Sequence, residues 1–247
     1  MKPGATTPSD TIPTESEGVS SLLVRLSKLS VAIAIVKKAQ VAADTLLTDT
    51  TLDPNLGRCL ARSKGMFIAP DIRPEALVLS SACSGVFMAR PPGSEDWNGP
   101  TFHVLGGLSS ALKLPGPSAA IFLLAMTDRG VNAFLSRSIQ LGNETRIAAA
   151  GRADDDADIL SFAFPGGARS TPPLEHAIIT ACEGLNQTIY GGGVTPADII
   201  TRGTPPGSSD AGLGRTLIRL ARRSRETQRR RGSFLSPRPA PAPATLR

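Results

Sequence analysis

The sequence predicts an α+β fold: a curved antiparallel β-sheet, or a barrel-like sheet, with an N-terminal helix and a short C-terminal helix. Three observations carry this expectation. Neither proline nor glycine interrupts Val19 to Leu47, and Leu22, Leu23, Leu26, Leu29, Ile33 and Val36 recur there in steps of three and four, one face of a helix. The middle of the chain is a series of short apolar runs separated by glycine and proline turns, as strands joined by hairpins require. Near the end, Thr195-Pro196-Ala197-Asp198 reads as a helix start: Thr195 caps, Pro196 fits the first helical position, and Asp198 suits the first turn.

Leu56 to Ser63 predicts a short helix, ended at Lys64-Gly65. Met66 to Ala69 predicts a strand stopped by Pro70. Glu75 to Arg90 is small or apolar on both faces, as a strand covered on two sides would be. Gly85 marks a bulge or a close backbone approach there. The organising stretch runs from Trp97 to Leu135. It comprises an Asn98-Gly99-Pro100 turn, a strand broken at Gly106-Gly107, a Pro115-Gly116-Pro117 turn, a buried strand from Ala119 to Met126, and a short helix capped by Asp128. Ile139 to Leu141, Arg146 to Ala150, Ile159 to Phe164 and Leu174 to Cys182 are the remaining strands. With 4% aromatic residues, the core is expected to be built of Val, Ile, Leu and Ala.

Charge divides the chain. The net charge is +6, yet residues 211–247 hold ten arginines against one acid, Glu226, so the rest is mildly acidic. This gives three regions: a disordered N-terminus over 1–17, a domain over 18–206, and a basic, proline-rich tail over 207–247. Cys59, Cys83 and Cys182 are odd in number and widely spaced, which excludes a full disulfide framework and fits buried thiols. No uncharged apolar run nears the ~18 residues that span a bilayer, and no secretory signal is visible at the start.

The residues argue against several chemistries. There is no Gly-x-Ser-x-Gly elbow, no Walker loop and no dinucleotide fingerprint. His103 and His176 each fall in a predicted strand and read as structural. Two histidines and three scattered cysteines offer no zinc spacing. Asp154, Asp155, Asp156 and Asp158 lack the glycine and the later glutamate of a calcium loop and read as a solvated turn. Asn143-Glu144-Thr145 and Asn186-Gln187-Thr188 match glycosylation sequons that would stay idle without a signal. The expectation is a chain without catalytic residues, metal or cofactor.

Seven segments in order resemble the SYLF domain, a lipid-binding module of endocytic and bacterial proteins. They are Arg62 to Ile72, Ser84 to Arg90, Trp97 to Pro100, Leu105-Gly106-Gly107, Asp128 to Leu135, Gln140 to Gly142 with Ala148 to Arg152, and Tyr190-Gly191 with Val194 to Pro196. The resemblance covers roughly residues 40–203. The chain departs from the family's pattern where Ser80, Ser81 and Ala82 replace glycines, and where Ala111 to Ala120 and Gly166 to His176 replace glycine-rich blocks.

The resemblance implies peripheral binding of phosphoinositides or other anionic lipids, and, for fungal members, actin. The candidate lipid-binding residues are Arg25, Lys28, Lys37 and Lys38 on the first helix, with Arg219, Arg222 and Arg223 in the tail. Each cation near a charged leaflet contributes about 1 kcal/mol, and binding through charge should fall steeply with salt. Periodicity alone favours a first helix packed on the domain with its charges solvated over one lying on an anionic membrane. Two other functions stay open: a protein-interaction module that binds actin or a Src-homology-3 partner through Pro237 to Pro243, and nucleic-acid binding by the arginine tail. The expected location is cytoplasmic and peripheral to a membrane, or exported if the start site is misassigned.

Overall fold

The computed structural model describes residues 15–48, 54–73, 84–94, 96–107, 118–143, 145–149, 156–164, 174, 176–203 and 213–219. Its elements are α1 (Glu15–Thr48), α2 (Pro54–Arg62), β1 (Gly65–Ile72), β2 (Gly85–Ala89), β3 (Asn98–Gly106), β4 (Ala119–Ala125), α3 (Asp128–Leu135), β5 (Ser138–Gln140), β6 (Ile147–Ala149), β7 (Ile159–Phe164), β8 (Ile178–Ala181), α4 (Glu183–Tyr190), α5 (Pro196–Arg202) and α6 (residues 213–219). The strands form one curled, half-barrel sheet in the order β5-β8-β3-β2-β1-β4-β7-β6. The α+β expectation holds, with one difference: β6 joins the edge of β7 in parallel, so the sheet is mixed.

Both faces of the sheet are covered. Met66, Ile68, Val86, Met88, Phe122 and Phe162 point to the face packed by α1, α2, α4 and α6. Phe67, Phe87, Leu123 and Ile159 point to the opposite face, closed by Phe134 of α3 and Ile200 of α5. Contrary to the aliphatic core expected from composition, six of the eight phenylalanines are fully buried. Few aromatics suffice because nearly all of them go inside.

The central glycines make room for these rings. Phe67 and Phe87 are direct cross-strand partners. A β-carbon on Gly65 would lie 2.7 Å from the Phe87 ring, and one on Gly85 would lie 2.5 Å from the Phe67 ring. Each aromatic thus occupies the place of a missing side chain on the neighbouring strand. Gly85 marks a close approach, as the sequence suggested. Gly130 is needed for a different reason: a β-carbon there would overlap the Asp158 carbonyl oxygen, where α3 seats on the start of β7.

Several predicted boundaries move. β1 continues through Pro70, which sits where its pairing with β4 slips between Ala69 and Ile72, so the missing amide interrupts no regular ladder. Of the predicted strand from Glu75 to Arg90, residues 85–89 are in β2 and residues 75–83 lie outside the described residues. Thr127, rather than Asp128, caps α3, its hydroxyl accepting from the Gly130 amide. His176 stands in a turn with a φ of 75°, ahead of β8. α5 begins as expected, with the Thr195 hydroxyl accepting from the Asp198 amide and the Asp198 carboxylate accepting from the Thr195 amide. Cys182 is disulfide-bonded, so buried thiols do not describe all three cysteines.

The two ends of the chain also differ from expectation. α1 begins at Glu15, inside the stretch expected to be disordered; residues 1–14 lie outside the described residues. Past Gly203 the fold resumes in α6, whose Leu213 and Leu217 are buried in the same core as α1. The Thr216 hydroxyl donates to Asp44 Oδ1 at 3.0 Å and ties α6 to α1. The first seven described residues of the basic segment therefore belong to the domain.

Candidate functional site: the projecting half of α1

α1 has two halves in different surroundings. From Ala32 onward, Ala32, Ile35, Val36, Ala39, Ala43 and Leu46 are buried against the sheet. From Val19 to Val31 every residue is exposed. Val19, Leu22, Leu23, Val24, Leu26, Leu29 and Val31 are between 41% and 61% exposed, a concentration of bare aliphatic surface that soluble domains rarely carry.

At about 100° per residue, Val19, Leu22, Leu23, Leu26 and Leu29 form one stripe. Its centre lies about 120° around the axis from the line that packs on the sheet. The helix therefore shows apolar residues on most sides, and even in the exposed half Val24 and Val31 stand away from the stripe. Cations follow the same division. Arg25 and Lys28 continue the domain-facing line into the exposed half, and the Lys28 ammonium lies against Gly184 at the start of α4.

The predicted site residues do not form one patch. Lys37 and Lys38 lie on other sides of α1 from Arg25 and Lys28. Lys38 Nζ is 3.1 Å from Asp71 Oδ2, and this hydrogen bond, with Arg73 3.4 Å from the other oxygen, holds the Asp71 carboxyl below its ordinary value. Arg219 is engaged as well: it donates to Thr216 Oγ1 at 3.1 Å and sits 3.5 Å from Asp44. Arg222, Arg223 and the segment from Pro237 to Pro243 lie outside the described residues. Arg25 and Lys28 share the exposed half of α1 with the apolar stripe but lie about 120° around the axis from it, Lys37 stands at the stripe's angle on the anchored half, and Lys38 and Arg219 are engaged with Asp71 and Asp44.

Arg25, Lys28, Lys37 and Lys38 punctuate this apolar surface and leave no long uncharged run in the sequence. Val19–Thr48 is in fact long and apolar enough to cross a membrane by length and composition. Its packing sets a limit on that. The exposed part, Val19 to Val31, extends only about 20 Å at 1.5 Å per residue. That is short of the ~30 Å hydrocarbon core, and the remainder of the helix is built into the domain.

His103, Asp158 and Asn186 are each held within the fold. His103 is fully buried, edge-on to Phe67, Phe87 and Phe134 with ring centroids 6.2–6.3 Å away, and Nε2 is 2.8 Å from Thr101 Oγ1. Burial pushes its imidazole down to about 3, so it is neutral at physiological pH. His103 and His176 share no cavity: one is enclosed by phenylalanines and the other is exposed. Asp158 is no solvated turn residue. Burial would raise its carboxyl, but the Thr127 hydroxyl, the Arg146 amide and the Arg129 and Arg146 guanidiniums outweigh this and hold it below its usual range. Asn186, of the second sequon, is buried and exchanges both amide bonds with the Phe102 backbone, which closes it to glycosylation. Among the described residues no three His, Cys, Asp or Glu side chains cluster as metal ligands do.

Parts of four of the segments that resemble the SYLF family lie together at one end of the sheet. Lys64 precedes β1, Arg90 follows β2 and stacks 4.6 Å over the Trp97 ring, and Asp128 opens α3 beside Lys64 at 2.8 Å. The chain matches no protein-family model and no curated protein.

Proposed function

We propose that the protein is a peripheral, non-catalytic binder of anionic lipid membranes, and that it docks by sinking the projecting half of α1 into one leaflet. The observation that carries this reading is the stripe Val19, Leu22, Leu23, Leu26 and Leu29, exposed on a helix whose other half is anchored in the core. Burying these five half-exposed side chains contributes roughly 4–7 kcal/mol, taking half of the ~1.5–3 kcal/mol for full burial of each. Arg25 and Lys28 add about 1 kcal/mol each near an anionic surface. Insertion therefore outweighs charge, and the lipid specificity is for negative surfaces in general, phosphoinositides among them. The resemblance to the SYLF domain points the same way.

The disulfide at Cys182 favours the exported form over the cytoplasmic one, because such bonds persist in oxidising compartments. It correspondingly weighs against actin or a cytosolic Src-homology-3 protein as the partner. The test is flotation of the full chain with vesicles of phosphatidylcholine alone or mixed with phosphatidylglycerol. The protein should float with the anionic vesicles and keep a substantial part of that binding when salt is raised to about 0.5 M, where surface charge is screened within a few ångströms. Failure to float with anionic vesicles at low salt would overturn the reading.

A further inference from the structure

The apolar stripe of α1 has a spacing that a bilayer does not require. Val19, Leu22, Leu26, Leu29 and Ile33 follow one another in steps of three, four, three and four. That alternation is the seam of a coiled coil, with Val19, Leu26 and Ile33 at the first heptad position and Leu22 and Leu29 at the fourth. Valine or isoleucine at the first position with leucine at the fourth favours two strands in a parallel coil, and Leu26 is the one departure. Ser20, Ser21, Ser27 and Lys28 fall at outer positions. Val24 and Val31 stand there too, on the far side of the helix, seven residues apart and without the intervening residues that a second seam needs.

The helix is ready for a partner before one arrives. An isolated helix of about fifteen residues is marginal in water, because a single short seam barely offsets the entropy of ordering it. Here Ile35, Val36, Ala39 and Ala43 fix the same helix to the sheet, so its exposed turns are already helical. The line that meets the sheet lies about 120° from the stripe and leaves the stripe clear of the domain. Ile33, half-buried, is the last seam residue in reach. Further along the same side Asp44 is tied to α6, and there two paired helices would have to part.

We propose that the exposed half of α1 pairs with the same half of a second copy of this chain, in a short, parallel, two-stranded coil. A two-fold axis sets the stripe against an identical stripe, so the surface is its own complement. Charge permits the pairing: Arg25 flanks the seam, and the residue facing it across a parallel pair is Ser30 of the other copy rather than a cation. The bare side chains amount to roughly 1,000 Å2 over two copies, the size of a weak, reversible association rather than an obligate dimer. The proposal goes beyond membrane docking and does not rest on it. In water the second copy covers the stripe, and a leaflet competes for the same surface.

The experiment is sedimentation velocity of the full chain, free of lipid and detergent, from about 2 to about 200 μM, which brackets weak pairs. The weight-average mass should climb from one chain toward two and fall back on dilution. Leu26→Lys places a cation in the middle of the seam and should raise the midpoint of association at least tenfold. Val24→Lys with Val31→Lys alters the far side of the same turns and should associate as the parent does. Thermal midpoints should stay together in all three proteins, because these side chains are exposed. The proposal is overturned if the parent stays monomeric throughout, if species larger than two chains form, or if Leu26→Lys associates as the parent does. It is equally overturned if the Val24 and Val31 variant loses association as fully as Leu26→Lys, since that would be unspecific sticking. No lipid is present, so a monomeric result leaves the membrane reading of α1 standing, and failed flotation leaves self-association standing.

Discussion

Replacing Leu22, Leu26 and Leu29 together by Ser should lower partitioning onto anionic vesicles at least tenfold and leave the thermal midpoint within a degree or two of the parent. The three side chains lie on one stripe of α1 and pack on nothing in the domain, so their removal opens no cavity. Each contributes roughly 1 kcal/mol to insertion at half burial, and 1.4 kcal/mol is a factor of ten. The comparison variant is Ile35→Ser with Val36→Ser, on the buried line of the same helix. That pair should unfold or strongly destabilise the protein, since two apolar contacts with the sheet are lost and two hydroxyls are buried. A vesicle sedimentation isotherm and a thermal melt on each variant separate the two halves of α1. Equal partitioning by the triple variant and the parent would remove α1 from the binding surface.

Stability should fall steeply on acidification, beginning well above the carboxylate range. His103 is the cause. In the unfolded chain its imidazole titrates near 6.5, while in the folded protein burial holds it at about 3. Between those values the unfolded state binds a proton that the folded state refuses. Folding free energy is therefore flat above pH 6.5 and declines by about 1.4 kcal/mol per pH unit below it, until the folded group itself titrates. Asp71, Asp158 and Asp198, all held below their ordinary values, add a further loss only as pH falls below about 4. Urea midpoints at pH 7.5, 6 and 5 measure the slope. His103→Phe keeps a planar ring among Phe67, Phe87 and Phe134 and should flatten the curve between pH 6.5 and 5. An identical slope in that variant would show that His103 is not the group responsible.

Long, one-sided patterns were legible in the sequence. β4 and β7 were found nearly to the residue, α1 was found but begins four residues earlier than its apolar pattern, and the cap of α5 was read from four residues, because a run of apolar side chains or a capping box specifies its own element. α4 was missed. It is two turns long, contains Gly184, and buries only Leu185 and Asn186, too little periodicity to stand out. α6 was hidden by charge: Leu213 and Leu217 mark its buried side, but the arginines around them made the segment read as tail. The reach of β1 through Pro70 depended on a slip in pairing with β4, which no local sequence encodes.

The site was legible by residue type rather than by arrangement. Apolar residues and cations on α1 are plain in the sequence, but the side that meets the sheet is not, since its two apolar lines differ by only about 120°. Lys37, Lys38, Arg25 and Lys28 consequently looked like one patch, and the acid that engages Lys38, Asp71, lies 33 residues away in β1. The meeting of Lys64, Arg90 and Asp128 was likewise invisible, because the ends of two strands and the start of a helix bring them together. Asp158 sat in an acidic run that looked solvated; only the fold of α3 onto β7 encloses it.

The depth of α1 in the membrane tests the central claim most directly. Leu26→Trp in the full chain, bound to anionic vesicles, places an indole on the exposed stripe while Trp97 stays buried in the domain. Lipids brominated high on their acyl chains should quench the introduced indole strongly and leave the parent protein's emission almost unchanged. Equal, weak quenching in both proteins would mean that the stripe stays in water, and that the helix is not what holds this protein to a membrane.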